Sequence, residues 1–221
     1  MTRVSEEKYA FFDFCGTCVN LQTGNAFLVK MIKEHKTSYH LIIAKILTSK
    51  ILSKLFSLML KNISVKKILL SFLKGVPYDN FLVTAKDFAG SLEEVKSTKI
   101  LKKLSDLSKD EYKIVIVSGG FSMYIEFFFQ KYAEVYVISN EISFFNNICD
   151  GRMTKPDCLG FQKVSRIKNE IGLDFDTENS MVFSDCPTDK PLFELVKKHR
   201  WLTKLSCEKN KIDTTLEIFK I

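Results

Sequence analysis

Residues that break regular structure are scarce in this sequence. Only four prolines and nine glycines occur among 221 residues, which excludes a collagen-like chain and argues against extended disorder. Histidine occurs three times, without the spacing of a metal site. Apolar residues make up 46% of the chain and charged residues 27%, as in ordinary globular proteins. The length suits one domain, or one domain with an insertion.

The sequence also lacks a long apolar run that is free of charge. Its most apolar window, residues 41–60, contains Lys45, Lys50 and Lys54, so we expect no membrane-spanning helix. The first fourteen residues lack the apolar core of a secretory signal. We therefore expect a cytoplasmic protein whose cysteines are reduced. These cysteines are Cys15, Cys18, Cys149, Cys158, Cys186 and Cys207.

Acidic residues are missing from a long internal stretch. No Asp or Glu occurs from His35 through Tyr78, although the stretch contains eight lysines. The net charge of +7 favours anionic partners such as phosphates, nucleic acid or an acidic membrane surface. Nucleic acid is not expected, because the basic stretch lacks interleaved exposed aromatic residues. The lysines are most simply a solvated helix face, and peripheral contact with anionic lipid is the alternative.

Three short apolar runs, each followed by a small or acidic residue, predict buried parallel strands at residues 9–14, 113–118 and 181–185. A fourth strand is predicted at residues 135–139. Because helical patterns follow these runs, we expect an α/β fold with a doubly wound, mostly parallel sheet in three α/β/α layers. Ligands of such sheets bind at the carboxyl ends of the strands.

An insertion of roughly 70 residues with helical periodicity separates the first two strands. We therefore expect a Rossmann-like core formed by residues 1–20 and 93–221, and a helical cap formed by residues 21–92. Within the cap, polar residues recur along one side of a predicted amphipathic helix. They are Lys45, Ser49, Lys50, Ser53, Lys54, Ser57 and Lys61.

Polar side chains follow the predicted strands. The first strand leads into residues 13–17, where a carboxylate stands near a glycine that allows a tight turn. The second leads into residues 118–120, Ser-Gly-Gly, whose hydroxyl and backbone N–H groups suit a phosphate. The third brings Asp185 and Asp189 to the same edge, so that an oxygen-rich site suited to Mg²⁺ is predicted. Lys163, just upstream, can offset the charge of a phosphate.

Four segments in order, FFDFCGT, IVIVSGGF, GFQKVSRIK and VFSDCPTDKPLF, resemble the motifs of the haloacid dehalogenase superfamily of phosphohydrolases. They are similar in particular to the branch with a helical cap after the first motif, which includes phosphoserine phosphatase and a bacterial phosphatidylglycerophosphatase. One such motif alone would be a weak signal, whereas four in order are specific. The resemblance implies a phosphatase that uses Mg²⁺ and acts on a small phosphorylated substrate, with lipid and sugar phosphates both compatible.

The resemblance also implies a role for each motif residue. Asp13 would attack phosphorus and form an aspartyl-phosphate, which water would hydrolyse. Mg²⁺ would be held by Asp13, Asp185 and the main-chain carbonyl of Cys15. The residues that bind the phosphate or orient the reacting groups would be Ser118, Gly119, Lys163 and Asp189.

The residue at position 15 departs from the pattern of these phosphatases. They carry a second aspartate two residues after the nucleophile, which acts as general acid and base, whereas this chain has Cys15. A thiol with a pKa of about 8.5 is a poor proton donor to phosphate and cannot act as a carboxylate base. Losing that proton transfer costs roughly 10²- to 10⁴-fold in rate. Three outcomes stay open: a slow phosphatase, a phosphotransferase with a long-lived intermediate, or a catalytically degenerate phosphate-binding protein.

Two further alternatives concern redox chemistry and substrate. Cys15, Cys18 and Cys186 are expected near one edge of the sheet, but structural cysteines are favoured over a redox disulfide or a zinc site because no histidine cluster accompanies them. Phosphoserine is disfavoured as a substrate, because recognition of an amino acid calls for an acid and an arginine in the cap. From Leu21 to Lys74 the only acid is Glu34, and arginine is absent.

Overall fold

The computed structural model describes residues 7–49, 64–186, 189–197, 199–202 and 217–218. In these residues the strands are β1 (Tyr9–Phe12), β2 (Lys113–Phe121), β3 (Tyr136–Asn140), β4 (Ile142–Phe145), β5 (Ile148–Met153), β6 (Met181–Ser184), β7 (His199–Leu202) and β8 (Glu217–Ile218). The helices are α1 (Thr23–His35), α2 (Ser38–Thr48), α3 (Val65–Phe72), α4 (Tyr78–Ser91), α5 (Thr98–Lys109), α6 (Ser122–Phe129), α7 (Phe161–Glu170) and α8 (Lys190–Phe193), with a 3₁₀ helix at Leu92–Val95.

Six strands form a parallel sheet in the order β3-β2-β1-β6-β7-β8. The strands β1, β2 and β6 are almost wholly buried, because helices cover a parallel sheet on both faces. The strands predicted at residues 9–14, 113–118, 135–139 and 181–185 are therefore confirmed, with ends that differ by one to three residues.

Helices pack on both faces of this sheet. On one face Phe12 stacks on Phe183 with ring centroids 4.5 Å apart, and the buried residues of α5 and α6 belong to the same cluster. On the other face the ring centroids of Phe11 and Phe175 are 5.5 Å apart, and these residues form a second hydrophobic cluster with buried residues of α7 and α8. The predicted three-layer α/β/α fold is confirmed.

The strand β1 ends at Phe12, earlier than predicted, because the chain turns immediately after Asp13. The carbonyl of Phe14 accepts the N–H groups of three residues in succession, Thr17, Cys18 and Val19. Within this turn Gly16 has a φ of +80°, a left-handed conformation that glycine adopts at little cost. The turn leaves Asp13 at the carboxyl edge of the sheet.

The helices α1 to α4 lie between β1 and β2 in the chain, as predicted for an inserted helical cap. Their apolar faces, which include Phe27, Leu28, Leu69 and Phe81, belong to the same hydrophobic cluster as one face of the sheet. Within the described ranges, no helix is both long and apolar enough to cross a bilayer. The division into a core of 1–20 and 93–221 and a cap of 21–92 stays a prediction.

A small antiparallel hairpin, β4–β5, packs on the cap and was not predicted. The backbone carbonyl of Cys149 in β5 accepts the N–H of Gly75 at 2.8 Å, and the N–H of Cys149 donates to the carbonyl of Val76 at 2.9 Å. Gly151 has a φ of +81°, and a Cβ there would lie 3.2 Å from the Cα of Ser71 in α3. The hairpin therefore connects the later half of the chain to the inserted helices.

Part of the sequence prediction lies outside the described residues. Of the predicted amphipathic helix, Lys45 lies in α2 and Ser49 follows its end, whereas residues 50–61 are not described. Cys207 is also outside the described ranges. The other five cysteines are free thiols.

Candidate active site

The carboxyl ends of β1 and β6 bring two aspartates to one edge of the sheet. Phe12 pairs with Phe183, and the N–H of Asp13 donates to the carbonyl of Phe183 at 2.9 Å. Asp185 follows two residues later. A Cβ at Gly16 would lie 2.2 Å from Oδ2 of Asp185, so only glycine leaves room for this carboxylate beside the first turn.

Lys163 links the proposed nucleophile to Asp189. Its ammonium donates to Oδ1 of Asp13 at 2.8 Å and to Oδ2 of Asp189 at 2.6 Å. The hydroxyl of Ser184 donates to the same Asp189 oxygen at 2.7 Å. Asp13 is 6% exposed, Lys163 2% and Asp189 5%, so these hydrogen bonds are shielded from bulk water.

Burial and crowding of like charge set the electrostatics of this cluster. Burial raises the pKa of Asp13 to about 7, Lys163 opposes the rise, and Asp189 and Asp185 add to it. Burial alone lowers the pKa of Lys163, but Asp13 and Asp189 outweigh it and raise that pKa above its usual range. The lysine therefore stays charged, and the three neighbouring carboxylates carry an excess of negative charge that a divalent cation would offset.

The donor set at this edge fits a hard cation. Asp13, Cys15, Asp185 and Asp189 line one cavity of about 400 Å³, and carboxylate and carbonyl oxygens are the ligands that Mg²⁺ prefers. In the described part of the chain, no group of three or more His, Cys, Asp or Glu side chains is arranged to hold a metal. A cation here would thus need the predicted main-chain carbonyl in addition to the two carboxylates, and a thiolate zinc cluster is not found in those ranges.

The C-terminal end of β2, where its register with β3 shifts between Val117 and Phe121, carries the predicted phosphate-binding residues. Ser118 is fully buried, and its Oγ accepts the N–H of Gly120 at 3.0 Å, which stabilises this irregular part of the strand. Gly119 lines the cavity, and a Cβ on it would lie 2.5 Å from the side chain of Leu159. This end of β2 therefore approaches the cavity with backbone atoms, as a phosphate site requires.

Cys15 lies in a cluster of neutral hydroxyl groups. Its Sγ is 3.0 Å from Oγ1 of Thr23 and 3.8 Å from Oγ of Ser118, and the Thr23 hydroxyl is 2.7 Å from that of Tyr124. Burial, together with the charge of Asp13, raises the pKa of the Cys15 thiol. The thiol therefore remains protonated at neutral pH. Cys18 lies in the core instead and donates to the carbonyl of Asp13 at 3.2 Å.

Several residues in or beside the cavity were not predicted from the sequence. Thr23 begins α1 beside Cys15, and Lys66 in α3 forms an ion pair with Asp157 at 2.6 Å. Lys66 belongs to the acid-free stretch, and Asp157 lies three residues before the segment GFQKVSRIK. However, no sequence signal pairs residues that are 91 positions apart. The structure thus brings the predicted Asp13, Lys163, Asp185 and Asp189 together and adds a second charged pair, in which Lys66 comes from the cap and Asp157 from the segment before α7.

Comparisons with known proteins agree with this architecture. A family model described as haloacid dehalogenase-like hydrolase matches residues 10–194. The comparison with curated proteins gave no match.

Similar solved structures include three that differ in coverage. A HAD family hydrolase from Salmonella enterica subsp. enterica serovar Typhi has 17% identity and a TM-score of 0.61, over 91% of this chain and 64% of that chain. A protein of unknown function from Bordetella pertussis Tohama I has 13% identity and a TM-score of 0.74, over 90% of this chain and 91% of that chain. A phosphoserine phosphatase with an analogue of the phospho-aspartyl intermediate has 17% identity and a TM-score of 0.60, over 97% of this chain and 93% of that chain.

Identities this low show the fold alone, and the phosphoserine phosphatase match agrees with the predicted branch. The family model, by contrast, covers well over half of the sequence. The chain therefore belongs to the haloacid dehalogenase-like hydrolases.

Proposed function

We propose that the protein is a Mg²⁺-dependent phosphomonoester hydrolase that acts through an aspartyl-phosphate on Asp13. The observation that carries the proposal is the position of the Asp13 carboxylate. It lies at a strand end and in the wall of a cavity, 2.8 Å from a buried ammonium and on the strand next to that of Asp185. A nucleophile, a counter-charge and cation ligands are thus present on one side of a single cavity.

In the first step, an oxygen of Asp13 attacks phosphorus, the bond to the ester oxygen breaks, and the leaving group departs with a proton from solvent. Lys163 fixes the orientation of the carboxylate and carries positive charge toward the transferring oxygens. Backbone N–H groups around Gly119 can bind those oxygens. Mg²⁺, held by Asp13, Asp185 and the carbonyl of Cys15, would withdraw charge from the phosphoryl group.

In the second step, water attacks phosphorus, phosphate leaves and the Asp13 carboxylate is restored. This step needs a group that accepts a proton from water, and the neutral Cys15 thiol is poorly suited to that role. We therefore propose a slow phosphatase whose aspartyl-phosphate persists. The alternative is a degenerate protein that binds a phosphorylated ligand without turnover.

The cavity supports a small phosphorylated substrate, or the headgroup of a larger one. Its volume of about 400 Å³ is at the lower end of typical ligand sites. Phosphoserine stays disfavoured, because the cap acid Glu34 is engaged by Thr84 at 2.7 Å and by Lys30 at 2.7 Å. Sugar phosphates and lipid phosphates are both compatible with the lining.

We also propose peripheral contact between the cap and anionic membranes. Tyr39, Ile42 and Ile46 are exposed along α2, and the exposed Lys45 lies beside them. Apolar side chains flanked by lysine are typical of helices that bind a lipid surface. Such contact would bring the cavity close to a lipid phosphate, and the rest of the protein would remain in the cytoplasm.

The proposed activity is tested by measuring phosphate release from 4-nitrophenyl phosphate with and without Mg²⁺. We expect slow release by the native chain that requires Mg²⁺ and disappears in Asp13→Asn. Asp174→Asn is the matched control, because Asp174 is exposed and lies outside all four motifs. Native activity that survives in Asp13→Asn would contradict the proposal, and activity seen only after Cys15→Asp would support the degenerate alternative.

A further inference from the structure

Lys66 reaches from the cap into the cavity in front of Asp13. Its ammonium donates to both carboxylate oxygens of Asp157, at 2.6 and 2.8 Å, and to the carbonyl of Gly119 at 2.7 Å. The side chains of Lys66 and Asp157 are only 11% and 19% exposed. All three N–H bonds of the ammonium are therefore engaged with the opposite wall of the cavity.

Two of the three acceptor atoms of Lys66, Oδ1 of Asp157 and the carbonyl oxygen of Gly119, have a second donor. The side-chain amide of Asn140 donates to Oδ1 of Asp157 at 2.6 Å and to the carbonyl of Gly119 at 2.9 Å. Asn140 is itself fully buried, and its Oδ1 accepts the N–H of Cys158 at 2.9 Å. Lys66 can therefore move away while two of its acceptor atoms keep a donor, and Oδ2 of Asp157, whose side chain is 19% exposed, can be hydrated instead.

We infer that the leaving group of a substrate lies toward the cap wall of the cavity, which includes Lys66. A phosphoryl group that is attacked in line by Asp13 directs its ester oxygen away from that carboxylate. The remaining cavity wall includes Gln22, Asn25, Ser64 and Lys66, which come from the cap or border it. Lys66 gives this wall a positive charge. Its charge therefore favours an anionic leaving group.

The geometry points to Lys66 as a specificity-determining residue that exchanges Asp157 for a second anionic group on the leaving-group side of the substrate. The substrate class is then a phosphomonoester that carries a further phosphate, phosphodiester or carboxylate. This inference rests on the proposed function, since it takes Asp13 as the nucleophile. Asp157 acts as the resident counter-ion that holds Lys66 in place until the substrate arrives.

The test compares propyl phosphate with 3-phosphonopropyl phosphate, which adds an anion that cannot be hydrolysed. We expect native kcat/KM to favour the phosphonate ester by roughly 10- to 100-fold, as for a hydrogen bond to a charged group. The difference should lie mainly in KM, because the second anion is remote from phosphorus. Lys66→Met should bring the ratio of the two kcat/KM values to about one. Lys67→Met is the matched control, since Lys67 is exposed on the same helix, and it should keep the native ratio.

Asp157→Asn separates recognition from a merely structural tie between cap and core. Removing the competing carboxylate should keep or raise the preference for the phosphonate ester, because Asn140 can still donate to the amide oxygen. If Lys66→Met and Asp157→Asn instead lower kcat/KM for both esters by the same factor, Lys66 only joins the two parts and the inference is wrong.

A further arm identifies the source of the second anion. A diacyl lipid in dodecyl maltoside micelles, with a phosphodiester followed by a terminal phosphomonoester, is compared with the soluble phosphonate ester. A Lys66-dependent preference for the lipid would assign a lipid headgroup. An equal Lys66-dependent rate would assign a free compound.

Failure of the proposed function can be told apart from failure of this inference. If the native chain releases phosphate from neither ester, the affinity for each is measured by titration calorimetry with Mg²⁺. Binding of the phosphonate ester that is roughly tenfold tighter in the native chain but not in Lys66→Met supports the inference without catalysis. Equal binding of both esters by both proteins overturns it.

Discussion

Exchanging Cys15 for aspartate places a carboxylate in surroundings that already contain hydroxyl donors. The Sγ atom lies 3.0 Å from the Thr23 hydroxyl and 3.8 Å from that of Ser118, and either hydroxyl can donate to a carboxylate. Cys15 is partly exposed and lines the cavity, so the two extra oxygens can be accommodated on that side. The new group stands two residues after Asp13, where a general acid and base would act.

The expected gain follows from the missing proton transfer. General acid and base catalysis contributes roughly 10²- to 10⁴-fold, and an aspartate at this position could supply it in both steps. Part of the gain is offset, because a fourth carboxylate beside Asp13, Asp185 and Asp189 further raises the pKa of its neighbours. We therefore expect kcat to rise by about 10²-fold in Cys15→Asp.

The assay follows both phosphate release and the phosphoenzyme. With the native chain, acid quenching should trap a labelled aspartyl-phosphate that exceeds its level in Cys15→Asp, because hydrolysis of the intermediate limits the native rate. Cys15→Asn is the control, since it matches aspartate in shape but cannot transfer the proton. The reasoning is refuted if Cys15→Asn accelerates turnover as much as Cys15→Asp, or if a folded Cys15→Asp shows native kcat.

Three further predictions concern the turn, the charge and the cap. Gly16→Ala should weaken Mg²⁺ binding at least tenfold, because its Cβ would meet a carboxylate oxygen of Asp185 at 2.2 Å. Gly75→Ala is the control: Gly75 has a similar φ of +88° with no atom within 4 Å of the new Cβ, so it should show only the backbone cost of about 1–2 kcal/mol. Calorimetry measures the change in Mg²⁺ affinity and thermal unfolding the change in stability. Because burial raises the folded-state pKa of Asp13 to about 7, its protonated form favours folding, and this contribution is lost as the pH rises from about 4 to about 7. With EDTA present, the Tm of the native chain should therefore fall relative to that of Asp13→Asn across this range, and parallel curves would contradict the assignment. Lys45→Glu should reduce sedimentation with anionic vesicles by roughly fivefold or more, because each lysine near an anionic surface contributes about 1 kcal/mol. Lys109→Glu should not, since Lys109 is exposed on α5, away from α2 in the chain. An equal loss in both variants would indicate only an effect of net charge.

Much of the fold could be predicted because its signals are local. Parallel strands that are buried on both faces read as unbroken apolar runs, and β1 and β2 carried that pattern clearly. Their ends were less certain, since β1 stops at Phe12 where three N–H groups turn back to the carbonyl of Phe14. The hairpin β4–β5 was missed because its contacts with α3 involve residues far apart in the chain.

The sequence by itself determined which residue types follow the strand ends, and therefore the α/β class and the grouping of Asp13, Asp185 and Asp189. Parallel strands in one sheet must present their carboxyl ends at one edge, so this grouping follows from order alone. Only the tertiary structure decided that Thr23 lies beside Cys15 and that Lys66 pairs with Asp157. These contacts depend on how the cap packs over the sheet, and neither spacing nor periodicity encodes the distance between side chains on separate elements.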